Sequence, residues 1–141
     1  MNLVEKVLSA NDTGETGTHQ AGWLVPKEPE ILAFFPRLDR SLRNPRCVVD
    51  VVDDAGHEWT FNFIYYNNRF FGGTRNEYRL TGVTEFVREH GLRKGDTVIL
   101  ENAGRRHFNI RVRRKGAALQ VMPDGRKVLR LSGHWSVFGS G

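Results

Sequence analysis

The chain has 141 residues, 39% hydrophobic and 26% charged, the make-up of one globular domain with a single core rather than of a disordered tail or a two-domain protein. No apolar run approaches the roughly 20 residues of a membrane-crossing helix, and Met1 to Ala10 lacks the basic flank and apolar stretch of a secretion signal. The net charge of +5 is uneven: residues 1 to 68 hold six Lys+Arg against ten Asp+Glu (−4), and residues 69 to 141 hold fifteen against six (+9).

Of the 21 basic residues, 16 are arginine and 5 lysine. A guanidinium fork grips phosphate or guanine at two points, where lysine offers a mobile point charge. A one-sided positive field of this kind attracts a polyanion, and nucleic acid is the usual one. Cys47 is the single cysteine and forms no intramolecular disulfide, which fits a reducing cytoplasm.

In chain order, Leu3, Val4, Val7 and Leu8 fall at helical spacing and predict a short amphipathic turn. Asn11 to Gly22 is nearly devoid of apolar side chains and carries three glycines, so it predicts a loop that builds no core and is either functional or disordered. No Gly-Lys-Ser/Thr follows those glycines, which excludes a nucleotide-binding P-loop. Trp23 to Pro26 reads as a short strand, and Glu28 to Phe35 as a short helix with Pro29 in its first turn, stopped by Pro36. Cys47 to Val52 and His57 to Tyr66 predict two strands joined by Asp53-Asp54-Ala55-Gly56. In the second strand Trp59, Phe61, Phe63 and Tyr65 share one face.

Thr84 to His90 predicts a second helix ended by Gly91. Asp96 to Glu101 is the next strand. Arg106 to Arg114 alternates, with Phe108, Ile110 and Val112 inward and His107, Asn109, Arg111 and Arg113 toward solvent. Leu119 to Met122 and Lys127 to Leu131 predict a hairpin about Pro123-Asp124-Gly125-Arg126, and His134 to Phe138 a last strand. Gly139-Ser140-Gly141 has the composition of a linker or cloning remnant. The expected fold is mainly β with two short helices, a seven-stranded, partly open barrel in one domain spanning 1 to 141.

The most informative stretch is Asn67 to Arg79, which mixes arginine, amide and carboxylate side chains around Gly72-Gly73 directly after a strand. Arg suits guanine, Asn adenine and Glu the amino group of cytosine, so the stretch reads as a DNA-reading loop partnered by 11 to 22. A solvated hairpin has the same composition. Catalytic constellations are missing: no lysine has an acid two positions before it, as metal nucleases commonly require. The five histidines are scattered, one cysteine builds no zinc site, and no Gly-any-Ser-any-Gly elbow occurs. Phe34, Phe35, Phe61, Phe63, Tyr65, Phe70, Phe71 and Phe86 are expected to be mostly core, with stacking on single strands as the competing use.

The two polar stretches resemble a known family. Ser9-Ala10-Asn11-Asp12-Thr13-Gly14, Gly17, His19-Gln20, Gly22 and Pro26, followed by Tyr65-Tyr66-Asn67, Arg69, Phe71-Gly72, Thr74-Arg75-Asn76-Glu77 and Arg79, resemble the N-terminal effector domain of EcoRII-type restriction endonucleases. The similarity spans about 6 to 114 and is poor after Lys115. It implies the DNA-binding pseudobarrel shared with plant B3 domains and two arms, an N-arm over 11 to 22 and a C-arm over 67 to 80, gripping the major groove of double-stranded DNA.

The resemblance further implies base reading by His19, Gln20, Arg75, Asn76, Glu77 and Arg79. It implies phosphate contact or support by Lys6, Thr18, Asn62, Arg69, Gly73, Thr74 and Tyr78. Gly73 and Tyr78 stand where such enzymes place lysine, a departure that bears on the preferred sequence. The implied site is short and CCWGG-like. Binding itself needs no cofactor, and cleavage with Mg2+ belongs to a separate nuclease domain of a restriction-modification system. Two rival readings follow from charge alone: a stand-alone nucleic-acid hydrolase, and an interaction module for single-stranded RNA or acidic proteins.

Overall fold

Apolar side chains at every second position build this fold, and the strands they mark curl into one sheet. The computed structural model describes residues 3–17 and 22–116 and the backbone of 135–138. Its strands are β1 (Leu3–Val7), β2 (Trp23–Val25), β3 (Arg46–Asp53), β4 (Glu58–Tyr66), β5 (Glu77–Thr81), β6 (Thr97–Gly104), β7 (His107–Arg113) and β8 (Trp135–Phe138). Between them lie short helices α1 (Ala10–Thr13), α2 (Pro29–Leu32) and α3 (Thr84–Glu89), and a 3-10 turn at Asn68–Phe71. The eight strands run in the order β2-β5-β4-β3-β7-β6-β1-β8. Neighbours are antiparallel except β3 and β7, which pair in parallel from Asp50–His107 to Asp53–Ile110.

The inner face is the alternating one. Val49 and Val51 of β3, Phe61 and Phe63 of β4, Leu80 of β5 and Phe108 and Ile110 of β7 are all buried in one cluster with Val4, Val98 and Leu100. Trp23 is fully enclosed and meets Phe61 and Phe86 edge-on, with ring centroids 6.1 and 6.4 Å apart. Each such ring contributes about 1.5–3 kcal/mol by leaving water. Six of the eight weighed aromatics are therefore core: Phe34, Phe35, Phe61, Phe63, Tyr65 and Phe86. Phe70 and Phe71 are exposed.

The mainly β, barrel-like expectation is borne out, with corrections in its parts. Residues 3 to 7 form a strand, not a helical turn, because β1 is hydrogen-bonded along both edges, to β6 and to β8. All five of its residues are buried. A strand covered on both faces loses the alternation that would betray it. Glu28 to Phe35 shortens to α2, and the 11 to 22 stretch begins inside α1. Glu77 onward is a strand, so the C-arm is part loop and part sheet. Arg113 does not face solvent. It is 3% exposed, its Nη2 lies 2.9 Å from Glu5 Oε2, and Leu3, Val7, Thr97 and Ile99 are buried beside this pair on the face opposite the main core. The hairpin expected over 119 to 131 lies outside the described residues.

Candidate nucleic-acid interface

The candidate site is the outer face of β5 with the turns that border it. Alternation along Glu77–Thr81 sends Tyr78 and Leu80 into the core and leaves Glu77, Arg79 and Thr81 on the other side. Cross-strand pairing sets these outward residues against Tyr66, Ile64 and Asn62 of β4, in that order. Asn62 thus joins the same face as the arginines. Side chains this close across a strand pair act together.

Glu77 organises the row. Arg75 Nε donates to its Oε1 at 3.0 Å, and Arg79 Nε donates to its Oε2 at 3.0 Å. Both arginines add a second nitrogen at 3.0 Å, so each guanidinium lies along its own carboxylate oxygen. The Arg75 guanidinium carbon also sits 3.8 Å from the Tyr66 ring centroid, a cation–π contact. Arg79 Nη1 donates to the Gly22 carbonyl at 3.1 Å, tying the C-arm strand to the end of the N-arm. Three charged residues spaced two apart are therefore held as one rigid ladder, half-buried, with one net positive charge.

Support comes from behind. Tyr65 Oη donates to Asn76 Oδ1 at 2.6 Å. The Asn76 carbonyl oxygen is thus engaged as an acceptor. Tyr78 stacks on Tyr65 with centroids 4.1 Å apart, and burial raises its phenol above the ordinary tyrosine range, with Arg40 opposing. Tyr78 is a buried support for the arm, not an exposed contact. Asn67, 1% exposed, donates through Nδ2 to the Leu42 carbonyl at 2.8 Å and accepts from the Asn44 N–H at 2.7 Å, pinning the preceding loop to the C-arm base. Sequence reasoning saw neither that clamp nor the Tyr66 platform. The alternation of β4 carries the signal for Tyr66, because it assigns that ring to the outer face.

Arg69 and Thr74 are exposed on the C-arm. The turn between them is closed by the Arg69 N–H on the Arg75 carbonyl at 2.9 Å and by the Gly73 N–H on the Asn68 carbonyl at 2.7 Å. A Cβ at Gly73 would lie 2.9 Å from Asn68 Cγ, so a larger residue there would displace the Asn68 side chain.

The N-arm grows from α1, whose start is a capping box: the Asp12 N–H donates to Ser9 Oγ and the Ser9 N–H to Asp12 Oδ2. Lys6 is buried with Nζ 3.4 Å from that same Asp12 oxygen, so its charge secures the arm's root and is not displayed for phosphate. Glu15 accepts from the Lys94 N–H at 3.0 Å and pairs with Arg93, fastening the arm to the turn after α3. The Lys94 N–H is the chief reason its carboxyl titrates below the ordinary glutamate value. Gly22 returns the arm to the sheet at φ +89°, and a Cβ there would lie 2.5 Å from the Leu80 carbonyl oxygen. Thr18, His19 and Gln20 lie outside the described residues.

Strand pairing fixes where the arms stand. Trp23 pairs with Leu80 and Val25 with Tyr78. The N-arm thus joins β2 beside the end of β5, and the C-arm enters β5 at its start. The return of the N-arm and the entry of the C-arm thus lie at opposite ends of the short β2–β5 ribbon. Five strand residues span roughly 14 Å, close to the roughly 12 Å width of a DNA major groove. Among the described residues no His/Cys/Asp/Glu group could hold a metal ion, and no helix is long and apolar enough to cross a membrane.

The family described as "Restriction endonuclease EcoRII, N-terminal" matches residues 1–90. The type II restriction enzyme EcoRII of Escherichia coli is 39% identical over 79 residues, which cover 54% of this chain and 19% of that protein. The B3 domain-containing transcription repressor VAL1 of Arabidopsis thaliana is 38% identical over 96 residues, 68% of this chain and 11% of that one. The chain therefore spans less than a fifth of the length of either relative. In solved structures, the Arabidopsis FUS3–DNA complex superposes with a TM-score of 0.57 at 21% identity, covering 79% of this chain and 96% of that chain. The N-terminal domain of Helicobacter pylori LlaJI.R1 gives 0.56 at 9% identity and covers both chains in full. At these identities the two superpositions establish a shared fold, that of the B3-like pseudobarrel.

Proposed function

Because the chain belongs to the restriction endonuclease EcoRII N-terminal family, we propose that it is the effector domain that recognises a short sequence in double-stranded DNA. The observation that carries this reading is the Arg75–Glu77–Arg79 ladder, which runs onto the outer face of β5 between the C-arm turn and the return of the N-arm at Gly22. In the bound state the arms straddle the major groove, and the ladder presents two guanidinium edges to guanine, with Glu77 fixing their angle. Asn76 adds amide donors, Arg69 and Thr74 meet phosphate, and His19, Gln20 and Thr18 complete the grip from the N-arm. The site is CCWGG-like to the extent that these positions match. Lys6, Asn62, Gly73 and Tyr78 shape the arms.

The domain binds without a cofactor and does not cut. Hydrolysis, with its Mg2+, belongs to a nuclease domain of the same or an associated protein, and the complex works in the cytoplasm where the DNA is. A pool of random duplexes incubated with the chain yields one enriched short sequence. Each bidentate arginine–guanine contact discriminates by about 1–3 kcal/mol, so Arg75→Ala and Arg79→Ala lose that enrichment by about tenfold or more. Enrichment by both variants equal to the parent's would refute the reading.

A further inference from the structure

Phenylalanine seldom stands in water, yet Phe70 is 67% exposed and its neighbour Phe71 is 43% exposed. They occupy the tip of the C-arm, and the turn that carries them is stapled behind by the Arg69–Arg75 and Gly73–Asn68 backbone bonds. The rings are held out by a built turn rather than by a slack loop. Arg69 precedes them, Arg75 follows, and from Trp59 to Asn76 the chain has no acidic residue. An apolar tip with cationic shoulders fits a surface that is apolar in one spot and anionic around it. That combination argues for DNA over an apolar protein face, which would gain nothing from the flanking arginines.

In the major groove the apolar group that a base edge presents is the C5-methyl of thymine. Resting on the reading of the arms given above, we propose that Phe70 and Phe71 recognise a thymine methyl beside the base pairs addressed by Arg75 and Arg79. The aromatic pair thus adds a methyl-sensing position to a site otherwise read by hydrogen bonds. The step is purely contact: the methyl leaves water against a ring edge, and no bond changes. Gly72 beside them is exposed and a Cβ there would meet no atom within 4 Å, so the surface next to the rings is open.

The test takes the sequence that the parent enriches and replaces each thymine in turn with deoxyuridine, which lacks only the methyl. Burial of one methyl is worth about 0.8 kcal/mol, so deoxyuridine at one position weakens parent binding about fourfold. The double variant Phe70→Ala/Phe71→Ala binds the thymine and uracil duplexes alike, while keeping its arginine-dependent preference for the site. Thermal unfolding of that variant falls only slightly below the parent's, since Phe70 is mostly and Phe71 nearly half in solvent. Equal parent affinity for every deoxyuridine duplex, an enriched site without thymine, or a variant that keeps the full methyl dependence overturns the proposal and leaves the duplex-reading assignment standing. A double variant with undiminished affinity for all duplexes overturns it too, and gives the rings to an apolar protein surface. Failure of the parent to enrich any sequence removes the assignment of the arms and this inference together.

Discussion

At the scale of single residues, Glu77 decides how the arginines behave. One carboxylate serves two guanidiniums, each along its own oxygen at 3.0 Å. Remove the negative charge and the two cations, four positions apart in sequence, repel each other and lose their common anchor. Glu77→Gln keeps the size of the side chain and deletes only the charge. Its net effect is one more positive charge, so affinity for a scrambled duplex holds or rises slightly. Discrimination requires the fixed angles, however, and falls by about tenfold or more, the worth of one bidentate base contact. Competition between the preferred and scrambled duplexes measures both quantities at once. A variant that keeps the parent's ratio would show that Glu77 has no part in ordering the arginines.

At the scale of elements, two buried aspartates lock strands to turns. Asp53 closes the β3–β4 hairpin through the His57 and Ala55 N–H groups and the Trp59 indole. Asp96 gathers the Arg93 and Lys115 N–H groups and the Arg114 side chain at the start of β6. Burial alone would raise the Asp96 carboxyl, but those donors outweigh it and hold it below the ordinary aspartate value. With the folded value depressed, the stabilisation is full above the unfolded value of about 3.9 and is lost as pH falls through the folded one. Asp96→Asn is therefore less stable than the parent at neutral pH, and the gap narrows below about pH 4. Urea midpoints across that range test it, and a gap independent of pH would assign the loss to packing.

Elements also mark what could be read beforehand. β4, whose Phe61, Phe63 and Tyr65 alternate into the core, was visible because one of its faces is dry and the other wet along most of its length. α3 showed itself by Val83, Phe86 and Val87 before Gly91. β1 hid because tertiary pairing buries both of its faces, and the same double burial turned Arg113 inward onto Glu5. β5 hid for the opposite reason: Glu77 and Arg79 read as loop chemistry, whereas they are the outward period of a strand whose inward period is only Tyr78 and Leu80. The arginine–carboxylate–arginine spacing is plain in the sequence. What local pattern could not supply was the partner strand that puts those side chains on a common face.

For the whole molecule, several arginines of the second half are paired within the fold, two of them with acids of the first half. Arg113 meets Glu5, Arg114 meets Asp96, Arg93 meets Glu15, Arg88 meets Glu85, and Arg75 and Arg79 share Glu77. The field offered to a polyanion by the C-arm is thus concentrated in Arg69 and the one net charge of the ladder. Duplex binding through the C-arm then depends on salt through few ions, each phosphate contact contributing about 0.9 to the slope of log affinity against log salt. Arg69→Ala lowers that slope by about one ion and weakens binding to preferred and scrambled duplexes by the same factor. Arg79→Ala instead removes preference, because its guanidinium is aimed by Glu77 and the Gly22 carbonyl rather than left to a phosphate. Titrations of the parent and both variants over a tenfold salt range separate these effects. A slope unchanged by Arg69→Ala would take the exposed C-arm arginine off the phosphate backbone and put the sequence-blind part of the affinity elsewhere on the chain.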